Sequence, residues 1–242
     1  MSTLLRWQVG AVRITRVQEL EAPGMRFIVP QATIDNLAGI PWLTPFLAAN
    51  GDAVGSVHAL VLEVGDQRML VDTCVGNDKE RRIPSWNKRQ GPFLTQLTEA
   101  GYPPDSIDTV ICTHLHTDHV GWNTRLVEEQ WVPTFPRARY LVTHPEWEHW
   151  SQSEDRWTKI VMADSVRPIF EAGLVDLVDV HHVVHETIQF EPTPGHTPGH
   201  VSVHIASQGE AALIGGRRRT PIRPRPTTPA RPSWCAMPIH RP

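Results

Sequence analysis

The chain has 242 residues, 26 acidic against 23 basic side chains for a formal charge of −3, and many Pro (22), His (13) and Trp (nine). That length buries a sizeable core as one large domain or two small ones. The three cysteines, Cys74, Cys112 and Cys235, are too few and too far apart for a disulfide framework, so Cys74 and Cys112 are expected as buried free thiols.

The opening MSTLLRWQVGAVRITRV lacks an apolar run of the length a signal peptide or membrane span needs, so a cytoplasmic protein with no membrane partner is expected. VHALVLEV (57–64) and RMLVDT (68–73) read as neighbouring strands across the turn GDQ. PFLTQLTEAG (92–101) reads as an amphipathic helix stopped by Gly101 and the following prolines. DTVICT (108–113) and ARYLVT (138–143) read as strands, the second followed by a short helix PEWEHWS and a longer one around 156–172. HETIQFEPTPGH, VSVHIAS and EAALI add three strand candidates, and the mixture points to a layered α/β domain.

Where the strand 108–113 runs out, ICTHLHTDHVGW (111–122) gathers three histidines and an aspartate into six positions. Alternation along an extended segment places His114, His116 and Asp118 on one side and turns His119 elsewhere. Such a segment can serve two neighbouring metal ions, His114 and His116 on one, Asp118 and His119 on the other. Imidazole and carboxylate are ligands that Zn²⁺, Fe²⁺ or Mn²⁺ accept. A polar His-rich surface loop is the plainer alternative, and it matches so specific a spacing poorly.

His114-x-His116-x-Asp118-His119, preceded by VICT, resembles the signature of the metallo-β-lactamase-fold hydrolases. MLVDTCVGN (69–77) is similar to the family's Asp-bearing strand end, which makes Asp72 a supporting residue behind the ligands. TPGHTPGH (193–200) is similar to the segment that supplies a third histidine to the first metal, mapping onto His196, with His200 behind it. The resemblance covers roughly residues 10–214. It implies an α/β fold, a four-layer αβ/βα sandwich with metals at one edge between the sheets. HTDHVGWNT and WVPTFPRARYLVTHPEWEHW are most similar to the lactonase and organophosphate- or ester-hydrolase branches.

The resemblance implies metal-dependent hydrolysis of a small-molecule lactone, ester or phosphotriester. A water shared by two cations loses a proton near neutral pH and attacks the carbonyl or phosphoryl centre, and Asp118 passes a proton to the departing group. Substrate contacts are expected from the loop APGMRFIVP (22–30) and from the Trp-rich segment 122–157, although core packing is the plainer role for most of those tryptophans.

The texture changes at Gly215. Residues 1–214 hold 16 basic and 26 acidic side chains, whereas 215–242 hold seven Arg, seven Pro and no acid. The expectation is a hydrolase domain over 1–214, incomplete at its C-terminal end, and a disordered Arg/Pro-rich tail over 215–242. After EAALI the family continues with Thr-Gly-Asp, whose aspartate bridges both metals; this chain reads Ile214-Gly215-Gly216-Arg217. One well-held Zn²⁺ rather than two is therefore expected, and apolar faces of the second sheet are expected to be uncovered.

A reading-frame shift near codon 215 would produce such a tail and leave a catalytically impaired remnant; a gene with no Gly-Asp in its alternative frames would dismiss it. The competing reading is a binding protein with an acquired basic tail. Nucleic acid is a poor candidate partner, because the arginines are not interleaved with aromatics. A homodimer is left open.

Overall fold

The computed structural model describes residues 4–23, 26, 29–215 and 237–238. In chain order these form β1 (Arg6–Val9), β2 (Val12–Pro23), α1 (Ile34–Ala38), β3 (Val54–Val64), β4 (Gln67–Val71), α2 (Phe93–Glu99) and β5 (Thr109–Ile111). The hairpin β6 (Thr124–Val127) and β7 (Gln130–Pro133) leads to β8 (Arg139–Thr143), α3 (His144–Ser151), α4 (Arg156–Val161) and α5 (Arg167–Glu171). Then come β9 (Val175–Val178), β10 (Val183–His185), β11 (Ile188–Pro192), β12 (Val201–Ser207), β13 (Glu210–Ile214) and β14 (Met237–Pro238).

A seven-stranded sheet runs β1-β2-β3-β4-β5-β8-β9 and a five-stranded sheet runs β10-β11-β12-β13-β14. Alternation along the strands builds two cores. Val17, Ala59, Val61, Leu70, Val110 and Tyr140 face a helical layer containing Phe93, Leu97 and Ile169. Ile14, Leu60, Leu62, Met69 and Val71 face Phe190, Val203 and Ile205 of the other sheet. The described residues thus make three of the four expected layers, helices on sheet on sheet.

The strands β4, β5 and β8 are parallel, with Val71 opposite Ile111 and Ile111 opposite Leu141. Their C-terminal ends therefore reach one edge together, and Asp72 and the histidine segment leave the sheet side by side there. Across the gap, β11 ends at Pro192 opposite Val201 of β12, so the 193–200 loop hangs over the same edge. The fold itself brings the two histidine-bearing segments face to face.

Several expectations need correcting. The hairpin β1–β2 was not foreseen. Residues 112–120 are not an extended continuation of β5: the chain curls, with His119 N donating to His116 O at 3.0 Å and Thr73 N to His119 O at 2.7 Å. The helix over 156–172 carries a π-helical segment at Met162–Val166. Its cause is visible at Asp164, whose carbonyl accepts from Lys79 Nζ at 2.9 Å and from the Thr124 hydroxyl, drawing it out of the helical ladder. The outer face of the second sheet is mixed, carrying Gln189, Glu191 and His204 beside Ala206, Ala211 and Leu213. Cys74 and Cys112 are buried free thiols as expected. Cys235 and the expected tail disorder lie outside the described residues, apart from Gly215 and β14, which pairs with β13 through Leu213 and Met237. No helix among the described residues is long and apolar enough to cross a membrane.

Candidate metal centre

At the end of β4, Asp72 takes a left-handed backbone conformation, φ 57°, which Asp tolerates better than most residues. The turn aims its carboxylate at the neighbouring strand end. One oxygen accepts Thr113 N at 2.9 Å, the Thr113 hydroxyl lies within 3.0 Å of both oxygens, and the other oxygen accepts from His119 Nδ1 at 2.7 Å. Asp72 thereby orients His119 and ties β4 to the segment after β5.

The histidines follow. His114 is buried, with Nδ1 3.1 Å from the Thr113 hydroxyl and Nε2 without any partner. His116 Nδ1 lies 2.9 Å from His196 Nε2. One ligand atom from each of His114, His116 and His196 lies within 4.8 Å of the others. A buried imidazole nitrogen left unpaired costs about 1–3 kcal/mol, and a cation held among the three imidazoles removes that cost for His114. Three imidazoles suit Zn²⁺ with a fourth position open. These residues fit a metal.

The electrostatics agree. Burial, reinforced by the other histidines, holds His114 well below its ordinary pKa, and burial with His196 brings His116 to about 4. Burial likewise lowers His200 to about 4. These rings are neutral at physiological pH, so their lone pairs are available to a cation. At His119 burial acts the same way but is overridden by Asp72 and Asp118, which raise it to about 10. Burial would raise Asp118, yet its attraction to His119 takes it down to about 2.

The predicted residues therefore fall into two groups. His114, His116 and His196 converge as one candidate ligand set. Asp118 and His119 pair with each other, Oδ2 to Nε2 at 3.5 Å, and His119 packs on His114 with ring centroids 3.9 Å apart. His200 stands beside the cluster, its ring 4.9 Å from that of His114 and its Nδ1 2.8 Å from the Thr193 hydroxyl, while its Nε2 is unpartnered. Gly215, the residue that follows β13, carries no side-chain ligand. Of the anticipated substrate loop 22–30, residues 24, 25, 27 and 28 lie outside the described residues. Among the tryptophans, Trp122 is core and Trp147 stacks on Phe170.

Sequence reading missed three residues. Trp150 lies edge-on to His116, ring centroids 5.0 Å apart. Glu146 is buried beneath it and accepts from the Trp150 indole N–H. Glu19 accepts from Val75 N, Gly76 N and Trp122 Nε1 at 2.8, 3.1 and 2.8 Å, fixing the loop beside Asp72. Nothing local marks these roles; an acid in a helix's first turn reads as an ordinary dipole partner.

Parallel strands deliver a histidine cluster to the open edge between two stacked sheets, an arrangement whose donor chemistry suits a metal ion. The chain belongs to the metallo-beta-lactamase superfamily, whose profile matches residues 52–216. An N-acyl homoserine lactonase from a Bacillus species is 27% identical over 170 residues, covering 65% of this chain and 61% of the lactonase. The chain thus spans less than two thirds of that relative's length. A probable metal-dependent hydrolase from Staphylococcus aureus superposes with a TM-score of 0.67 at 18% identity, over 86% of this chain and 73% of that one. AidC, a dizinc quorum-quenching lactonase solved with the product N-hexnoyl-L-homoserine, superposes with a TM-score of 0.65 at 20% identity, over 86% and 72%. Likeness at such identities speaks for the fold alone.

Proposed function

We propose that residues 1–214 form a hydrolase domain that holds one divalent ion, Zn²⁺ by preference over Fe²⁺ or Mn²⁺, on His114, His116 and His196, and opens a lactone or a related ester of a small molecule. The observation that carries this reading is the convergence of three imidazoles whose ligand atoms lie within 4.8 Å of one another, one with a buried unpartnered nitrogen. The lactonase relative supplies the substrate class. An ion bound there supplies Lewis acidity and lowers the pKa of a water.

The chain's own residues handle protons and orientation. Asp118, ionised at neutral pH, accepts a proton from a water and passes it to the leaving oxygen. His119, with Nδ1 committed to Asp72, presents Nε2 toward Asp118 and holds that carboxylate in place. His200 braces the ligand histidines from behind.

A second reading, a catalytically impaired member, is favoured by one feature: the residues that follow β13 supply no carboxylate, so among the described residues a second ion would draw on Asp118 and His119. Elemental analysis of the full chain and of His116→Ala, with hydrolysis of N-acyl homoserine lactones, aryl esters and phosphotriesters, separates the two. About one metal per chain, lost in the variant, with lactone turnover is expected; metal without turnover favours the impaired reading, and no metal in the wild type sinks the metal-centre reading altogether.

A further inference from the structure

Outside the ligands themselves, one polar group touches both histidine-bearing loops, the carboxylate of Glu146. It is 1% exposed and sits in the first turn of α3. One oxygen accepts from Leu115 N at 3.0 Å and from the Trp150 indole; the other accepts from Gly199 N at 3.0 Å. Leu115 lies between His114 and His116. Gly199 lies between His196 and His200. A single buried carboxylate therefore bridges the two loops whose imidazoles must meet, and through Trp150 it also sets the ring that abuts His116.

The surroundings are built for this bridge. A Cβ on Gly199 would stand 2.3 Å from Glu146 N and 2.7 Å from the Thr143 hydroxyl oxygen, so the loop approaches α3 as closely as only glycine permits. The Thr143 hydroxyl donates to Gly199 O at 2.8 Å, holding the same peptide from the other side. Every acceptor site of the Glu146 carboxylate used here faces an N–H, and no cation salt-bridges to it among the described residues.

We propose that Glu146 is a positioning residue of the metal centre: its carboxylate sets the spacing between the His114/His116 loop and the His196 loop. This rests on the metal-centre reading above. An amide cannot substitute, because its NH₂ would oppose one of the three N–H donors. Supporting groups of this kind typically carry 10–100-fold in metal affinity.

The test is Co²⁺ titration of the full chain, followed by visible ligand-field absorption, for wild type, Glu146→Gln and Glu146→Asp. The expected result is a Co²⁺ affinity roughly 10–100-fold weaker in Glu146→Gln, together with an altered spectrum at saturating Co²⁺. A residue that merely stabilised the fold would lower the melting temperature and leave the saturated spectrum unchanged. Should Glu146→Gln fail to fold, Glu146→Asp, which keeps the charge on a shorter arm, must show the same change in the saturated spectrum. Wild-type affinity and spectrum in a folded variant overturn the proposal alone; a wild-type chain that takes up no Co²⁺ overturns the metal centre and this proposal with it.

Discussion

Replacing Asp72 probes how the strand ends are held at the site. Its carboxylate accepts from Thr113 N, the Thr113 hydroxyl and His119 Nδ1, and Thr113 is 3% exposed. In Asp72→Ala the buried Thr113 N–H is orphaned, at about 1–3 kcal/mol, and the charged bond to His119 is lost, at about 1.5–3 kcal/mol. Alanine at φ 57° adds about 1 kcal/mol of backbone strain. Because these terms share one site and do not simply add, a loss of about 4 kcal/mol is expected. Asp72→Asn keeps the backbone preference and an acceptor for Thr113, so about 1–2 kcal/mol is expected there.

The assay is urea unfolding of metal-free protein, analysed by linear extrapolation. The pH dependence supplies a second readout. His119 binds its proton more tightly folded than unfolded, so its contribution is fully present below pH 6.5 and is lost as pH rises toward about 10. Asp72→Ala should flatten that decline. Stability of Asp72→Ala within 1 kcal/mol of wild type, or equal to that of Asp72→Asn, would refute the anchoring role.

Lys79 is buried, pushed down to about 7 chiefly by burial, with Asp164 opposing and Arg81 adding to the shift. The unfolded chain holds this proton up to pH 10.5, so Lys79 favours the folded state increasingly as pH rises from 7 to 10.5. Relative to wild type, Lys79→Met should be most stable below pH 7 and lose on the order of 5 kcal/mol by pH 10.5; a difference that stays constant with pH in denaturant titrations would exclude this. Gly121 packs so closely that a Cβ would stand 1.9 Å from Val75 O, with backbone rather than a flexible side chain in the way. Gly121→Ala should cost about 3 kcal/mol, read by calorimetry, and a loss under 1 kcal/mol would mean the two loops are not in contact.

The strands β3, β4, β8 and β11–β13 and the helices α2 and α3 are legible because their signals are local: alternation, helical spacing, and terminal Gly or Pro. The hairpin β1–β2 escapes because β2 buries both faces in its middle, Ile14 toward the other sheet and Thr15 and Val17 toward the helices, which erases the period of two. The segment 112–120 curls because backbone bonds from Thr73, Gly121 and Trp122 compete with extension, and those partners are set by the neighbouring strand, not by local preference.

The site divides the same way. Donor chemistry is intrinsic to side-chain type, so the sequence alone determined which residues can bind a metal, His114, His116 and His196 among them, and that no carboxylate follows β13. Which donors meet depends on chain segments eighty residues apart, and therefore on the packing of two sheets. That packing decided the pairing of Asp118 with His119, the opposite charge states of His114 and His119, and the bridging place of Glu146. Burial and proximity set hydrogen bonds and proton affinities, and neither exists until the two sheets close on each other.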